Sequence, residues 1–276
     1  MGRASILFCL SAAFAGFAQS DQGPAGGGAV VAMGGAGCVA LACDRRTSSA
    51  LLGGQPLVGT SARRVLRVHS RLLLGLSGLD GDVRTFAEDM AASLRILRLE
   101  ATEAQGSPAI SAPALSRLVS TKLYAERSRS PLYVEPIIAG LVSKPRPRAK
   151  VSPAADRDSP SNVSNGEYNV SEPAAKVKEP EASSGSALAP FLCSQDSLGA
   201  PMVTHDFVAS GTCSASLIGL CEALWRPDLP PDELWQLAAR CLLGAMERDC
   251  LSGAGAVVHL ITADGVTSYE LPCPSD

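Results

Sequence analysis

The order in which the hydrophobic period changes along the chain is its strongest constraint on fold. Continuous apolar runs come first, Ala29 to Met33 and Cys38 to Cys43, on either side of Gly34-Gly35-Ala36-Gly37. Such runs predict two strands joined by a tight turn, a hairpin at the edge of a core. Arg71 to Gly78 reads as another buried strand, ending in glycine. From Asp80 the period becomes helical. Val83, Phe86, Ala87, Met90, Leu94 and Leu97 recur at steps of mostly three or four, and Asp82 suits the positive end of a helix. After a break at Gly106-Ser107-Pro108, Leu115, Leu118, Val119 and Leu123 mark a second helix. Ile137 to Leu141, Phe191 to Cys193 and Phe207 to Gly211 are strand-like again. Two more helices are expected at about 215–224 and from Pro231 to Met246, the latter opened by proline and by Asp232 and Glu233. Val257 to Thr262, a turn at Asp264-Gly265, and Val266 to Leu271 form a closing hairpin. Strands, two helices, strands, two helices, strands: this order predicts an α+β chain of sheets with helix pairs packed outside.

One segment breaks the pattern. From about 143 to 187 the chain is Pro, Ser, Ala, Lys and Glu with almost no large apolar residues. It cannot bury enough surface to offset the entropy of ordering it, so a disordered insertion is expected there. Both flanks look like arms of one hairpin. Residues 27–276 are therefore read as one domain, preceded by an N-terminal extension or signal-like segment at 1–26.

Composition excludes several classes. At 276 residues and 46% hydrophobic the chain can bury a large core, and Gly 26 with Pro 19 lacks a triplet repeat. A net charge of −3 lacks the Lys/Arg surplus that phosphate neutralisation requires, so no nucleic-acid partner is expected. No apolar run reaches the roughly 20 residues of a bilayer-spanning helix, so no membrane partner is expected either. Ile6 stands where a myristoylation signal wants Ser or Thr. The nine cysteines include no CxxC, so neither a metal nor another cofactor is expected. Cys38, Cys43, Cys213, Cys221 and Cys241 lie in apolar runs and read as small buried hydrophobes, which favours a reducing compartment. The first residues point the other way. Arg3, the apolar run from Ile6 and the small residues up to Ala18 look like a secretory signal, and Asn162 and Asn169 begin glycosylation sequons. An unprocessed extension is the alternative reading of the same residues.

Six blocks in order carry a resemblance: GGAVVAM (27–33), CVALACDRR (38–46), LGLSGL (74–79), YVEPIIAGL (133–141), PMVTHDFVASGTC (201–213) and ERDCLSG (247–253). They resemble proteasome core-particle beta-type subunits, most closely the non-catalytic third type, over about Gly27 to Leu271. The resemblance implies a four-layer αββα sandwich of the N-terminal-nucleophile hydrolase type. It implies partners too: other proteasome beta and alpha subunits in stacked heptameric rings, in cytoplasm and nucleus, serving ATP/ubiquitin-dependent protein degradation.

Active members of that family use an N-terminal Thr whose hydroxyl attacks the peptide carbonyl while its own α-amine takes the proton. A Lys tunes the site and an Asp orients the Lys. Counting back from Asp44 puts Gly28 at the nucleophile position, and glycine has no hydroxyl. Counting back from Gly78 puts Arg64 at the lysine position, and arginine is larger and always charged. The stretch between the first hairpin and Arg64 is a few residues longer than the family pattern. Asp44, Ser210, Asp249 and Ser252 match supporting positions and are read as structural, with Asp44 expected to pair with Arg45 or Arg46. No catalytic residue is therefore expected.

Other candidates are weaker. Of the three histidines, His69, His205 and His259, the last sits in an apolar strand and reads as a satisfied core or interface side chain rather than a ligand. Gly34 to Gly37 precedes a strand rather than a helix N-terminus, so it is a turn and not a phosphate loop. Ser77-Gly78 and Ser210-Gly211 lack the flanking glycine pattern of a nucleophile elbow. Two alternatives stand beside the non-catalytic subunit: a peptidase of this fold with another nucleophile, and a secreted protein of the same fold.

Overall fold

The computed structural model describes residues 28–49, 57–103, 110–143 and 188–273. The signal-like segment, the break at 106–108, both sequons and the expected insertion beyond Ser143 lie outside the described residues.

Strands β1 (Ala29–Gly34), β2 (Val39–Asp44), β10 (Phe207–Gly211), β11 (Ala256–Ile261) and β12 (Val266–Leu271) form one antiparallel sheet in the order β10-β1-β2-β11-β12. A second sheet runs β5-β6-β7-β8-β9, from β5 (Val65–His69), β6 (Leu72–Gly78), β7 (Val134–Ser143), β8 (Leu188–Gln195) and β9 (Pro201–Thr204). A short ribbon pairs β3 (Thr47–Ser49) with β4 (Leu57–Gly59). Helices α1 (Asp80–Glu103) and α2 (Ala112–Glu126) pack on the second sheet, and α3 (Ser214–Leu224) and α4 (Pro231–Met246) on the first.

Alternation along each strand builds the core in layers. Ala29, Val31 and Met33 of β1 face Leu217, Ala238 and Leu242 of the α3/α4 pair. Val30 and Ala32 point the other way, into a cluster with Leu73, Ile137 and Leu192 of the second sheet. Leu72, Leu74 and Leu76 pack on Phe86, Met90, Leu115 and Val119 of α1 and α2. Strands buried on both faces need apolar residues at consecutive positions, which explains the unbroken runs. Gly75 marks a close approach of the sheets, since a Cβ there would lie 2.8 Å from Val30 Cγ1.

The first hairpin differs from expectation. β1 and β2 lie in the interior of their sheet rather than at the edge of the core, because two-sided burial demands a neighbour on each flank: β10 beside β1 and β11 beside β2. Three weak stretches also proved to be strands. β5 carries Arg67 and His69, β9 exposes more than half of Met202 and Val203, and the β3/β4 ribbon is three residues long, so none has a clear apolar period. The flanks of the expected insertion do pair, with Ser143 opposite Leu188.

Helix starts follow local chemistry. Ser111 caps α2 by accepting from the Ala114 amide at 3.4 Å, and α4 begins at Pro231 with Asp232 and Glu233 in its first turn. The five cysteines read as buried are buried, and Cys193 with them; the eight described cysteines are free thiols. Among the described residues no helix is long and apolar enough to cross a membrane.

Candidate functional site

The start of β1, the end of β2 and the loop after α4 converge around Asp44. Its side chain is fully buried and accepts three hydrogen bonds: from the Ala29 amide at 3.0 Å, from the Gly253 amide at 3.1 Å and from Arg64 Nε at 2.7 Å. The Arg64 guanidinium is buried as deeply, and its Nη2 donates to the Arg46 carbonyl. Burial raises the Asp44 pKa, while Arg64 and the two amides pull it down. Asp44 and Arg64 thus form a buried ion pair that ties the loop before β5 to the first sheet.

This corrects the expected partner. Arg45 does not meet Asp44, because successive strand side chains leave on opposite faces. It reaches β12 instead and pairs with Glu270 at 2.6 Å. Arg46 contributes its backbone carbonyl to Arg64.

Gly28 sits directly against this pair. A Cβ built on it would fall on the guanidinium carbon and both terminal nitrogens of Arg64, and its φ of +129° is one that side-chain-bearing residues rarely adopt. The Gly28 carbonyl accepts from the Thr212 amide at 3.0 Å, and the Thr212 hydroxyl donates to Asp249 Oδ2. Asp249 also receives the Leu251 amide at 3.0 Å and so shapes the loop that presents buried Ser252 and Gly253. Ser210 lies one step further along β10, opposite Val30. Its hydroxyl is 2.7 Å from that of Ser77, and both donate to the Glu135 carbonyl, at 3.4 and 3.2 Å.

The structure therefore sets Gly28 against Arg64 and Arg64 on Asp44, joins Asp249 to them through Thr212 and Ser252 through its neighbour Gly253, and places Ser210 beside them. Thr212 and Glu135 were missed by sequence reasoning. Thr212 lies in the fifth of the six resembling blocks, but only β10 pairing with β1 brings it to Gly28. Cys213, next in sequence, has its thiol pushed up to about 11, chiefly by burial, so it stays protonated at neutral pH.

The histidines lie elsewhere. His259 Nδ1 is 2.8 Å from the Ser268 hydroxyl, a satisfied side chain as expected, and His69 bonds the Ile110 carbonyl at 3.2 Å. Among the described residues no three His, Cys, Asp or Glu side chains gather as a metal site.

The two sheets, the helix pairs and the Asp44-centred junction define an α+β sandwich of a known class: the chain belongs to the proteasome subunit family, which matches residues 25–171 and 182–261. It is 31% identical over 251 residues to proteasome subunit beta type-3 of Drosophila melanogaster, covering 91% of this chain and 97% of that one. It is 32% identical over 258 residues to the beta type-3 subunit of Saccharomyces cerevisiae, covering 94% of this chain and all of that one. With proteasome subunit beta type-3-A of Arabidopsis thaliana it shares 33% over 236 residues, 86% of this chain and 90% of that one. The resemblance to the third beta type holds across animal, fungal and plant relatives.

Proposed function

We propose that this chain is a non-catalytic structural subunit of the proteasome core particle, with the four-layer αββα arrangement of N-terminal-nucleophile hydrolases. It takes a place in a beta ring, among beta and alpha subunits in stacked heptameric rings, and so contributes to ATP/ubiquitin-dependent protein degradation in cytoplasm and nucleus. The observation that carries this reading is the contact between Gly28 and Arg64. At the position where active relatives carry the nucleophile there is no hydroxyl, and the space beside it is filled by a guanidinium held on Asp44. Asp44, Ser210, Asp249 and Ser252 then act in folding: they anchor amides, pair with Arg64 and shape the loop after α4. Residues 27–276 form the family domain, carrying the insertion at about 143–187.

Tagging the chain in its own cells and isolating it tests both parts. Native mass spectrometry is expected to find it in a particle with other proteasome subunits. An electrophilic peptide probe for N-terminal nucleophiles is expected to label other subunits of that particle and leave this chain unlabelled. Recovery as a lone chain overturns the assembly role, and covalent labelling of this chain overturns the non-catalytic one.

A further inference from the structure

The turn after α2 carries a feature that the subunit reading does not use. Every residue from Tyr124 to Pro131 is exposed. The backbone is nonetheless defined, with the Glu126 carbonyl accepting from the amides of Arg129 at 3.1 Å and Ser130 at 3.0 Å. The Ser130 hydroxyl bonds no described residue. Pro131 follows it, and among the described residues this is the only Ser or Thr placed before a proline. Proline disfavours helical geometry at the preceding residue and offers no amide to a ladder, so Ser130 leaves the helix with its hydroxyl free. Arg127 and Arg129 flank it. Arg127 is parked one helical turn back, its guanidinium 3.6 Å from the centre of the Tyr124 ring and donating to the Tyr124 carbonyl at 2.6 Å.

We propose that Ser130 is a phosphoacceptor for a proline-directed serine/threonine protein kinase. The Ser130 Oγ attacks the γ-phosphorus of Mg-ATP. The new Oγ–P bond replaces the bond to the β,γ-bridging oxygen, ADP leaves, and the hydroxyl proton passes to the kinase's catalytic carboxylate. Ser128 lacks the following proline and is not the acceptor. One acid and two arginines, Glu126, Arg127 and Arg129, give the turn a net positive charge. A phosphate of roughly −1.5 to −2 charge makes it net negative. The phosphate also meets the negative end of the α2 dipole, so it draws Arg127 off Tyr124 to offset that repulsion. The turn thereby presents an acidic face where it presented a basic one. This goes beyond the subunit assignment and does not rest on it.

The test incubates the folded full-length chain with a purified proline-directed kinase and Mg-ATP, and maps phosphate by mass spectrometry. A synthetic peptide of residues 124–136 serves as positive control. Phosphate is expected on Ser130 of the folded chain. It is expected to be lost in Ser130→Ala and in Pro131→Ala, two surface variants whose thermal melts check that they fold. Labelling of the peptide with none on Ser130 of the folded chain overturns the proposal. So does phosphate confined to the other Ser-Pro positions, Ser107, Ser152 and Ser159, or label on Ser130 that appears only after unfolding in urea.

Discussion

The guanidinium of Arg64 occupies the volume that a side chain on residue 28 would need, so Gly28 and Arg64 are one structural unit. Neither position can change freely while the other stays. Gly28→Thr forces a β-branched residue into a positive-φ conformation, at a cost of about 1–3 kcal/mol. It also drives Arg64 off its carboxylate, which separates a buried ion pair. We expect Gly28→Thr to lose at least about 3 kcal/mol in urea unfolding. Gly28→Thr combined with Arg64→Lys should be less destabilised than the sum of the single changes by about 1 kcal/mol or more, because the slimmer lysine relieves the clash. Strict additivity of the two changes would show that the contact carries no energy.

Asp44→Asn tests the ion pair from the other side. The amide keeps the shape but leaves the Arg64 charge buried without its counter-ion. A loss of about 3–5 kcal/mol is expected. Arg64→Met added to Asp44→Asn should recover part of that loss, since it removes the stranded charge. A single Asp44→Asn variant as stable as the parent chain would contradict the buried pairing.

Ala254 lies between Gly253 and Gly255 with φ +56°, in the loop whose Gly253 amide holds Asp44. A left-handed alanine costs roughly 1–2 kcal/mol. Glycine removes that strain but gives back about 0.4–1 kcal/mol through a more flexible unfolded chain. Ala254→Gly is therefore expected to stabilise modestly, by about 0.5 kcal/mol, and to raise the melting temperature by a degree or two. A fall in melting temperature would mean that the loop relaxes without this residue's geometry.

His69 and His259 both titrate below their ordinary value of 6.5, chiefly because burial disfavours the imidazolium; Arg71 and Arg98 add to this at His69, and Arg45 and Arg67 at His259. The unfolded chain, with histidines near pH 6.5, then binds protons more readily than the folded one. The stability these groups contribute is full above pH 6.5 and is lost as pH falls through the lowered folded values. Urea midpoints should decline between pH 7.5 and 5.5, and His259→Gln should flatten part of that slope. A slope unchanged in both His259→Gln and His69→Gln would assign the pH dependence to other groups.

Much of this architecture was legible along the chain because its signals are local. A helix from Pro231 to Met246 follows from a proline, two acids and a 3.6-residue period, all within one element. The hairpins around Gly34 to Gly37 and Asp264-Gly265 follow from turn residues between apolar runs. β5 and β9 were not legible, because an edge strand with one exposed face and charged or exposed residues has no apolar period to read.

By itself the sequence determined the alternation of strands and helix pairs, the unbroken apolar runs of β1 and β2, and the absence of a hydroxyl at Gly28. Those depend on residue type and on spacings of a few positions. Tertiary structure decided which charges meet. Arg45 and Arg46 are the sequence neighbours of Asp44, yet strand alternation turns Arg45 towards Glu270, and the partner comes from Arg64, 20 residues away across the β3/β4 ribbon. Thr212 reaches Gly28 over 184 residues only because β10 docks antiparallel to β1. A buried charge must be matched by whatever the packing of distant segments brings within hydrogen-bond distance, and that geometry is a property of the assembled sheets rather than of any short stretch of chain.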